Sequence, residues 1–395
     1  MPQGFRFAPQ LELSATMPVN LGKVRHPHYG RYLEEFIPGQ VFVHPRGFTF
    51  FASQMEAFAR TYMQCNPLYL NGEFARASGF PDIIASPQMV FNVILSLGVQ
   101  NDSEKCIANL GYYDARFLRP VYPLDTIRAF TKVMDRKNRG EGKPGIVTIR
   151  TLGVNQHDEV VLQYERKIMV GGRGERSATI PLPPTPDGKM PDFPWVEDAE
   201  VHLPSFPDLP LSKFTGPQSY FQDFALGEII VHANGRTITD EHMQQTYLVG
   251  NTHPLHYDRI FSSGQSGKMS GDPIVYGGLV FAWLEGLASR DISDNSVWEL
   301  GFTEGYHTQP AVSGDTVAAL SRVLALEDAP GKLGSHFGIA TFQLIGVKNI
   351  SAANALSKHG ADLFIKENDK KDLGKDKLED KIFEIERRLL IRKRL

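Results

Sequence analysis

The chain of 395 residues reads as an α+β protein built twice over, each copy a buried helix wrapped by an antiparallel sheet. Three observations predict this. Short segments recur in the same order at a nearly constant spacing. Each copy holds one helical run that is apolar nearly all round. Each copy closes on long, β-branched, alternating strands.

The repeat comes first. YLEEFIPGQVFVH (32–44) matches YFQDFALGEIIVH (220–232) at an offset of 188, and NPLY (66–69) matches HPLH (253–256) at 187. LGYYDARFLRPVYPLDT (110–126) matches LGFTEGYHTQPAVSGDT (300–316) at 190. GIVTIRTLGVNQ (145–156) matches GIATFQLIGVKN (338–349) at 193, and YERKIMV (164–170) matches IERRLLI (385–391) at 221. The last jump locates an insertion in the second copy, about 350–380, with a mixed-charge run, KENDKKDLGKDKLEDK, that reads as a solvated loop or frayed helix. The division that follows is an N-terminal extension (1–30), a first domain (31–170), a linker (171–218) and a second domain (219–395). The linker holds ten of the 26 prolines, which disfavour helix and sheet interiors. Its Phe193, Trp195 and Phe206 predict that it packs over the surface.

Within each copy an extended segment (40–44; 228–232) precedes a helical run (53–63; 240–249), the second with Asp240 as its N-cap. The NPLY or HPLH loop follows. MVFNVILSLGV (89–99) and GLVFAWLEGLAS (278–289) are the buried helices, and strands such as IVTIRTL and VVLQYERKIMV, joined by a turn at NQHDE, complete the copy.

A net charge of −3 gives no reason to expect nucleic-acid binding. Two cysteines are no disulfide framework and point to a reducing compartment. No stretch approaches a membrane span of roughly 18 apolar residues, and the first residues lack a signal-peptide core. The expectation is a cytoplasmic protein.

The chemistry concentrates in LVGNTHPLHYD (248–258). His253 and His256 lie three apart, with Asn251 just before them, and their counterparts in the first copy are Asn66, Tyr69 and Gln64. Imidazole titrates nearest to neutrality, whereas the first-copy groups do not titrate there. Gly277 and Gly278 in VYGGL open the second buried helix, where Pro87, which has no N–H, stands in the first. HPLH shows no third ligand, so no metal site is expected.

The order of these motifs resembles the MaoC-like, hydratase 2-type enoyl-CoA hydratases, which use the frame G-D-x-N-P-L-H and occur as duplicated hot-dog folds. The resemblance covers about 30–170, 218–349 and 383–393. It implies a tandem hot-dog fold and a hydro-lyase adding water to an acyl-CoA substrate, without a redox cofactor. It places the family's acid at Asn251, its asparagine at His253, its histidine at His256 and its oxyanion-hole glycine at Gly277, with Gly278 beside it. Because Asn251 is no base, His256 is the expected base or water-orienter and His253 its partner. Tyr276 is a further candidate at the pocket mouth. Losing an acid suits a substrate with its own carboxylate, such as mesaconyl-CoA, which a neighbouring Asp would repel. Lys268 and Arg259 are candidates for the CoA phosphates, with Arg290, Arg387, Arg388 and Arg392 behind them. The first copy, lacking these groups, is expected to offer an apolar pocket for the acyl or pantetheine arm. The alternatives are a hydratase for ordinary enoyl-CoA, a thioester hydrolase, for which Asn251 supplies no carboxylate, and a non-catalytic acyl-CoA binder. The oligomeric state stays open, a homodimer included.

Overall fold

The structure, a computed structural model, describes residues 19–140, 143–173, 195–207, 214–265, 267 and 270–394. The first copy runs β1 (Val41–Val43), β2 (Phe48–Thr49), α1 (Ala52–Thr61), α2 (Gly72–Ala77), α3 (Pro87–Val99), β3 (Cys106–Phe117), β4 (Thr126–Lys137), β5 (Gly145–Val154) and β6 (Val160–Val170). The second runs β7 (Ile229–Thr237), α4 (Glu241–Leu248), α5 (Arg259–Ser263), α6 (Gly277–Ile292), β8 (Ser296–His307), β9 (Thr316–Asp328), β10 (Phe337–Lys348), α7 (Ala352–His359) and β11 (Lys381–Arg392). The loops NPLY and HPLH each form a 3-10 turn, Pro67–Tyr69 and Pro254–His256.

The strands of both copies form one sheet, in the order β1-β4-β5-β6-β3-β8-β11-β10-β9-β7, with β2 also on β4. The seam is antiparallel: Tyr112 pairs with Gly305 and Ala115 with Phe302. The two halves therefore join edge to edge and leave no free edge at the centre, where an exposed strand would invite foreign pairing. Behind the sheet, α3 and α6 pack against each other. Both are buried almost all round, as their composition requires. Phe302 ties the halves together, with Phe91, Phe117 and Phe281 around it at 5.1–5.7 Å between ring centroids. The repeated Leu-Gly-Val and Ile-Gly-Val steps have a packing cause. A Cβ on Gly153 would stand 2.0 Å from Ile94 Cδ1, and one on Gly346 would stand 2.2 Å from Leu284 Cδ1. Each glycine admits a helix side chain into the strand face.

Two expectations change. Asp240 stands at the N-cap of α4 but makes no capping bond; its carboxylate accepts from Arg259 Nη2 at 3.2 Å. The insertion is a solvated loop only in part: residues 371–377 of its charged run are exposed, but the stretch before the run is packed. The outer faces of β9 and β10 present Ala318, Leu320, Ile345 and Val347, and α7 with the following turn covers them with Ala352, Ala355, Leu363 and Phe364. Farther on, Lys370 is only 2% exposed and Lys381 is buried against Glu384 Oε2 at 2.6 Å. High charge hid an apolar stripe of few residues. Of the linker aromatics, Trp195 lies under the Arg150 guanidinium and Phe206 packs on Phe80 and Phe337; Phe193 falls outside the described residues. No described helix is long and apolar enough to cross a membrane.

Candidate active site

A cavity of about 610 Å³ opens where the HPLH loop and the start of α6 meet β3 and β6 of the other copy. Asn251, His253, His256, Tyr276 and Gly277 line it from the second copy, and Asn109, Tyr112, Arg166 and Lys167 from the first. It is thus a shared site, although its histidines come from one copy.

The 3-10 turn aims the two histidines differently. His253 is the turn's cap: its Nδ1 accepts from Leu255 N at 3.2 Å, so Nε2 carries the proton and donates to Cys106 O at 3.2 Å. Asn66 does the same work in the first copy, its Oδ1 accepting from Leu68 N and its Nδ2 donating to Ser296 O. Both nitrogens of His253 are therefore engaged. His256 Nδ1 lies 3.0 Å from Ile274 O, an acceptor only, so that nitrogen carries the proton and Nε2 keeps its lone pair for the cavity. Asn251, 1% exposed, is held by its Oδ1 accepting from His253 N at 2.9 Å. Tyr276 packs its ring 5.4 Å from that of His256, and its buried hydroxyl is approached by Ser96 without a completed hydrogen bond.

The helix starts differ as well. In α3, Ser86 Oγ accepts from Met89 N and Pro87 removes one donor, so this terminus is sealed. In α6, Tyr276 gives no side-chain cap. Its carbonyl accepts from Leu279 and Val280, which leaves the Gly277 and Gly278 amides without an intrahelical acceptor. The positive end of α6 points at the cavity through Gly277. A Cβ there would stand 2.6 Å from the His307 ring. Gly278 lies instead against α3: its carbonyl accepts from Asn92 Nδ2, and a Cβ would stand 1.9 Å from Asn92 Oδ1. Helix packing accounts for that glycine.

His307 and Tyr112 are the residues that sequence reasoning passed over. His307 closes β8 with Nε2 3.2 Å from Tyr112 Oη. The one available signal was that His307 faces Phe117 in the repeat. Among the described residues, Glu367 of the insertion is the carboxylate on the cavity wall, held by Lys370 and Lys377 at 3.2 and 3.4 Å.

Among the described residues, none of the basic residues picked from sequence lines the cavity. Arg259 is exposed and paired with Asp240 and Asp272. Arg290 is exposed, Arg388 lies 3.7 Å from Glu327, and Arg392 donates to Ser78 Oγ. Lys268 falls outside the described residues. Arg387 is buried beside the first copy's Gln64 and Gln88, where Nε and Nη2 hold Glu299 at 2.8 and 2.6 Å and Nη2 reaches Glu285 at 3.3 Å. Gln64 donates to Gln88 and to Glu285 there, and Gln88 donates to Glu299. Among the described residues, the place expected to offer an apolar pocket in the first copy is filled instead by a buried charge network from α6, β8 and β11. Replacing Arg387 with methionine strands two carboxylates, and we expect a loss of about 3–5 kcal/mol in denaturant unfolding.

Burial sets the protonation of the site. Desolvation pushes His253 and His307 down to about 4, and His256, with the His253 ring adding to it, to about 3. Above pH 6.5, their ordinary value, the rings are neutral whether the chain is folded or not. As pH falls from 6.5 toward 4, the unfolded chain takes up protons that the folded chain refuses, so stability drops. Three such protons give a slope approaching about 4 kcal/mol per pH unit. Urea midpoints at pH 7.5, 6 and 5 check this; a flat series contradicts it.

The mesaconyl-CoA hydratase family model matches residues 14–354. The chain belongs to the mesaconyl-CoA hydratase family. Its hydro-lyase relatives include a beta-methylmalyl-CoA dehydratase of Chloroflexus aurantiacus, 33% identical over 77% of this chain and 84% of that one. A mesaconyl-CoA hydratase of Cereibacter sphaeroides is 32% identical over 75% of this chain and 83% of that one. Among solved structures, a putative MaoC domain dehydratase from Chloroflexus aurantiacus superposes with a TM-score of 0.74 at 27% identity, over 93% of this chain and 98% of that one. A Mycobacterium tuberculosis protein with a double hot-dog fold superposes with a TM-score of 0.65 at 18% identity, over 91% of this chain and 98% of that one. The predicted tandem hot-dog fold is the fold observed. This member of the mesaconyl-CoA hydratase family carries Asn251, His253 and His256 on one turn, beside the open start of α6.

Proposed function

We propose that the chain reversibly adds water across the C=C bond of mesaconyl-CoA to give β-methylmalyl-CoA, at the cavity between its two copies. The observation that carries this reading is the pairing of a lone-pair nitrogen, His256 Nε2, with a helix-start amide, Gly277 N–H, on one cavity wall. Water held by Asn251 gives a proton to His256 Nε2 as its oxygen bonds to C3. The thioester oxygen, gaining charge as an enolate, takes the Gly277 N–H. The imidazolium then returns its proton to C2, so one H and one OH have been added and His256 is neutral again. A depressed pKa keeps His256 in its base form at neutral pH, and the negative enolate beside it raises its proton affinity during the step. His253 caps the turn that holds Asn251 and His256.

The family match and the 33% and 32% identical relatives support the substrate. The test is to mix purified protein with mesaconyl-CoA and follow the enoyl-thioester absorbance while assaying free thiol. Absorbance is expected to fall without thiol. Thiol release indicates a hydrolase, and no change in either, with CoA ester retained, indicates a binding protein.

A further inference from the structure

The silent half shows what an arginine at one particular place looks like when nothing is meant to bind it. YERKIMV on β6 and IERRLLI on β11 are matching tracts, so Arg166 and Arg387 occupy equivalent positions. Both are buried, 4% and 1% exposed. Arg387 spends its fork on Glu299 and Glu285. At the offset of 190 that relates LGYY to LGFT, the counterparts of Glu299 and Glu285 are Asn109 and Leu95. Both carboxylates are therefore missing around Arg166.

What Arg166 has instead is sparse. Nη2 donates to Ser103 Oγ at 3.3 Å, and Nε makes no hydrogen bond among the described residues. Asp102 Oδ1 stands at 3.6 Å, beyond hydrogen-bond length, and the other oxygen of Asp102 lies equally far from His44. The Asn109 side-chain oxygen is also buried without a donor. Arg166, Asn109 and Leu95 all line the cavity that holds His256 and Gly277. A buried guanidinium with open donors is costly unless an anion completes it, and its planar fork matches a carboxylate.

We infer that Arg166 is a specificity-determining residue that receives the free carboxylate of a dicarboxylic acyl-CoA, in the space that Glu299 fills in the silent half. The inference rests on the acyl-CoA reading of the cavity, and it adds the residue that selects a diacid over a monoacid. Asn109 keeps that place polar but uncharged, so no carboxylate stands where Glu299 stands in the other half, and Asp102, 3.6 Å from Nη2, is the one ion-pair partner of Arg166 among the described residues.

The test separates recognition from turnover. Succinyl-CoA and butyryl-CoA are saturated and similar in size, and they differ in the terminal carboxylate. Calorimetric Kd values for both are measured with the full chain. The wild type is expected to prefer succinyl-CoA by about 30-fold, the range of a charged hydrogen-bonded pair. Arg166→Gln is expected to bring the two Kd values within about threefold, mainly by weakening succinyl-CoA. Asn109→Glu restores the silent half's carboxylate and pairs Arg166 internally. It is expected to abolish the preference with the melting temperature kept, which covers the case in which Arg166→Gln fails to fold. A wild-type ratio near one, or a preference that survives Asn109→Glu, overturns the inference. Preference for succinyl-CoA with no hydration of mesaconyl-CoA leaves the inference standing and sinks the hydratase reading instead.

Discussion

Replacing His256 with alanine lowers kcat/KM for hydration of mesaconyl-CoA by about 10³-fold, the middle of the range for losing a positioned general base. The size follows from how the ring is held. Its Nδ1–H is fixed on Ile274 O, so Nε2 is the nitrogen free to take a proton, and its tautomer is set before substrate arrives. Binding and the Gly277 amide remain, so some catalysis over water persists. His253→Asn distinguishes the two histidines. It installs the capping residue that the first copy uses at Asn66, so it should stay far closer to wild type than His256→Ala. His157→Ala, in the hairpin between β5 and β6, should change nothing measurable in turnover. Full activity in His256→Ala would sink the assignment, as would a loss in His253→Asn as deep as that in His256→Ala.

The second large effect concerns the backbone. Gly277→Pro lowers kcat by about 10²–10³-fold relative to Gly277→Ala, the cost of one oxyanion donor. The comparison with alanine is needed because either residue adds a Cβ against the His307 ring, 2.6 Å away. The two variants share that crowding and differ in the N–H. Proline is tolerated at the first position of a helix, and Pro87 already occupies it in α3. Melting temperatures therefore need not separate the variants while turnover does. Equal kcat in the two removes the Gly277 amide from the mechanism.

Much of the fold was legible in the sequence because it is local and repeated. The two buried helices appear at Pro87–Val99 and Gly277–Ile292, within a few residues of where their apolar runs predict them. The long strands fall where β-branched alternation places them. The charged run of the insertion is largely exposed, as its composition suggests, but its Lys, Asp and Glu outweighed the few apolar residues before it that dock on β9 and β10. Nearness to the motif in sequence does not by itself place a cation on the cavity wall. Arg259 is close to His256 in sequence but meets Asp240 and Asp272 on the surface, whereas Arg166, ninety residues before His256 (256 − 166), lines the same cavity.

The sequence by itself determined that the chain is a duplication, that one copy keeps NTHPLH and an open glycine start, and that the other carries QCNPLY and a proline. Those are statements about residue types at equivalent positions, and repetition makes them readable. Only the tertiary structure decided that the site is shared. β3 pairs with β8 at the centre of one sheet, which brings Tyr112, Asn109 and Arg166 of the first copy onto the cavity of the second. The same pairing carries Glu285, Glu299 and Arg387 of the second copy into the corresponding place in the first. Contacts of that kind are set by which strand edges meet, and edge pairing across nearly two hundred residues leaves no periodic trace along the chain.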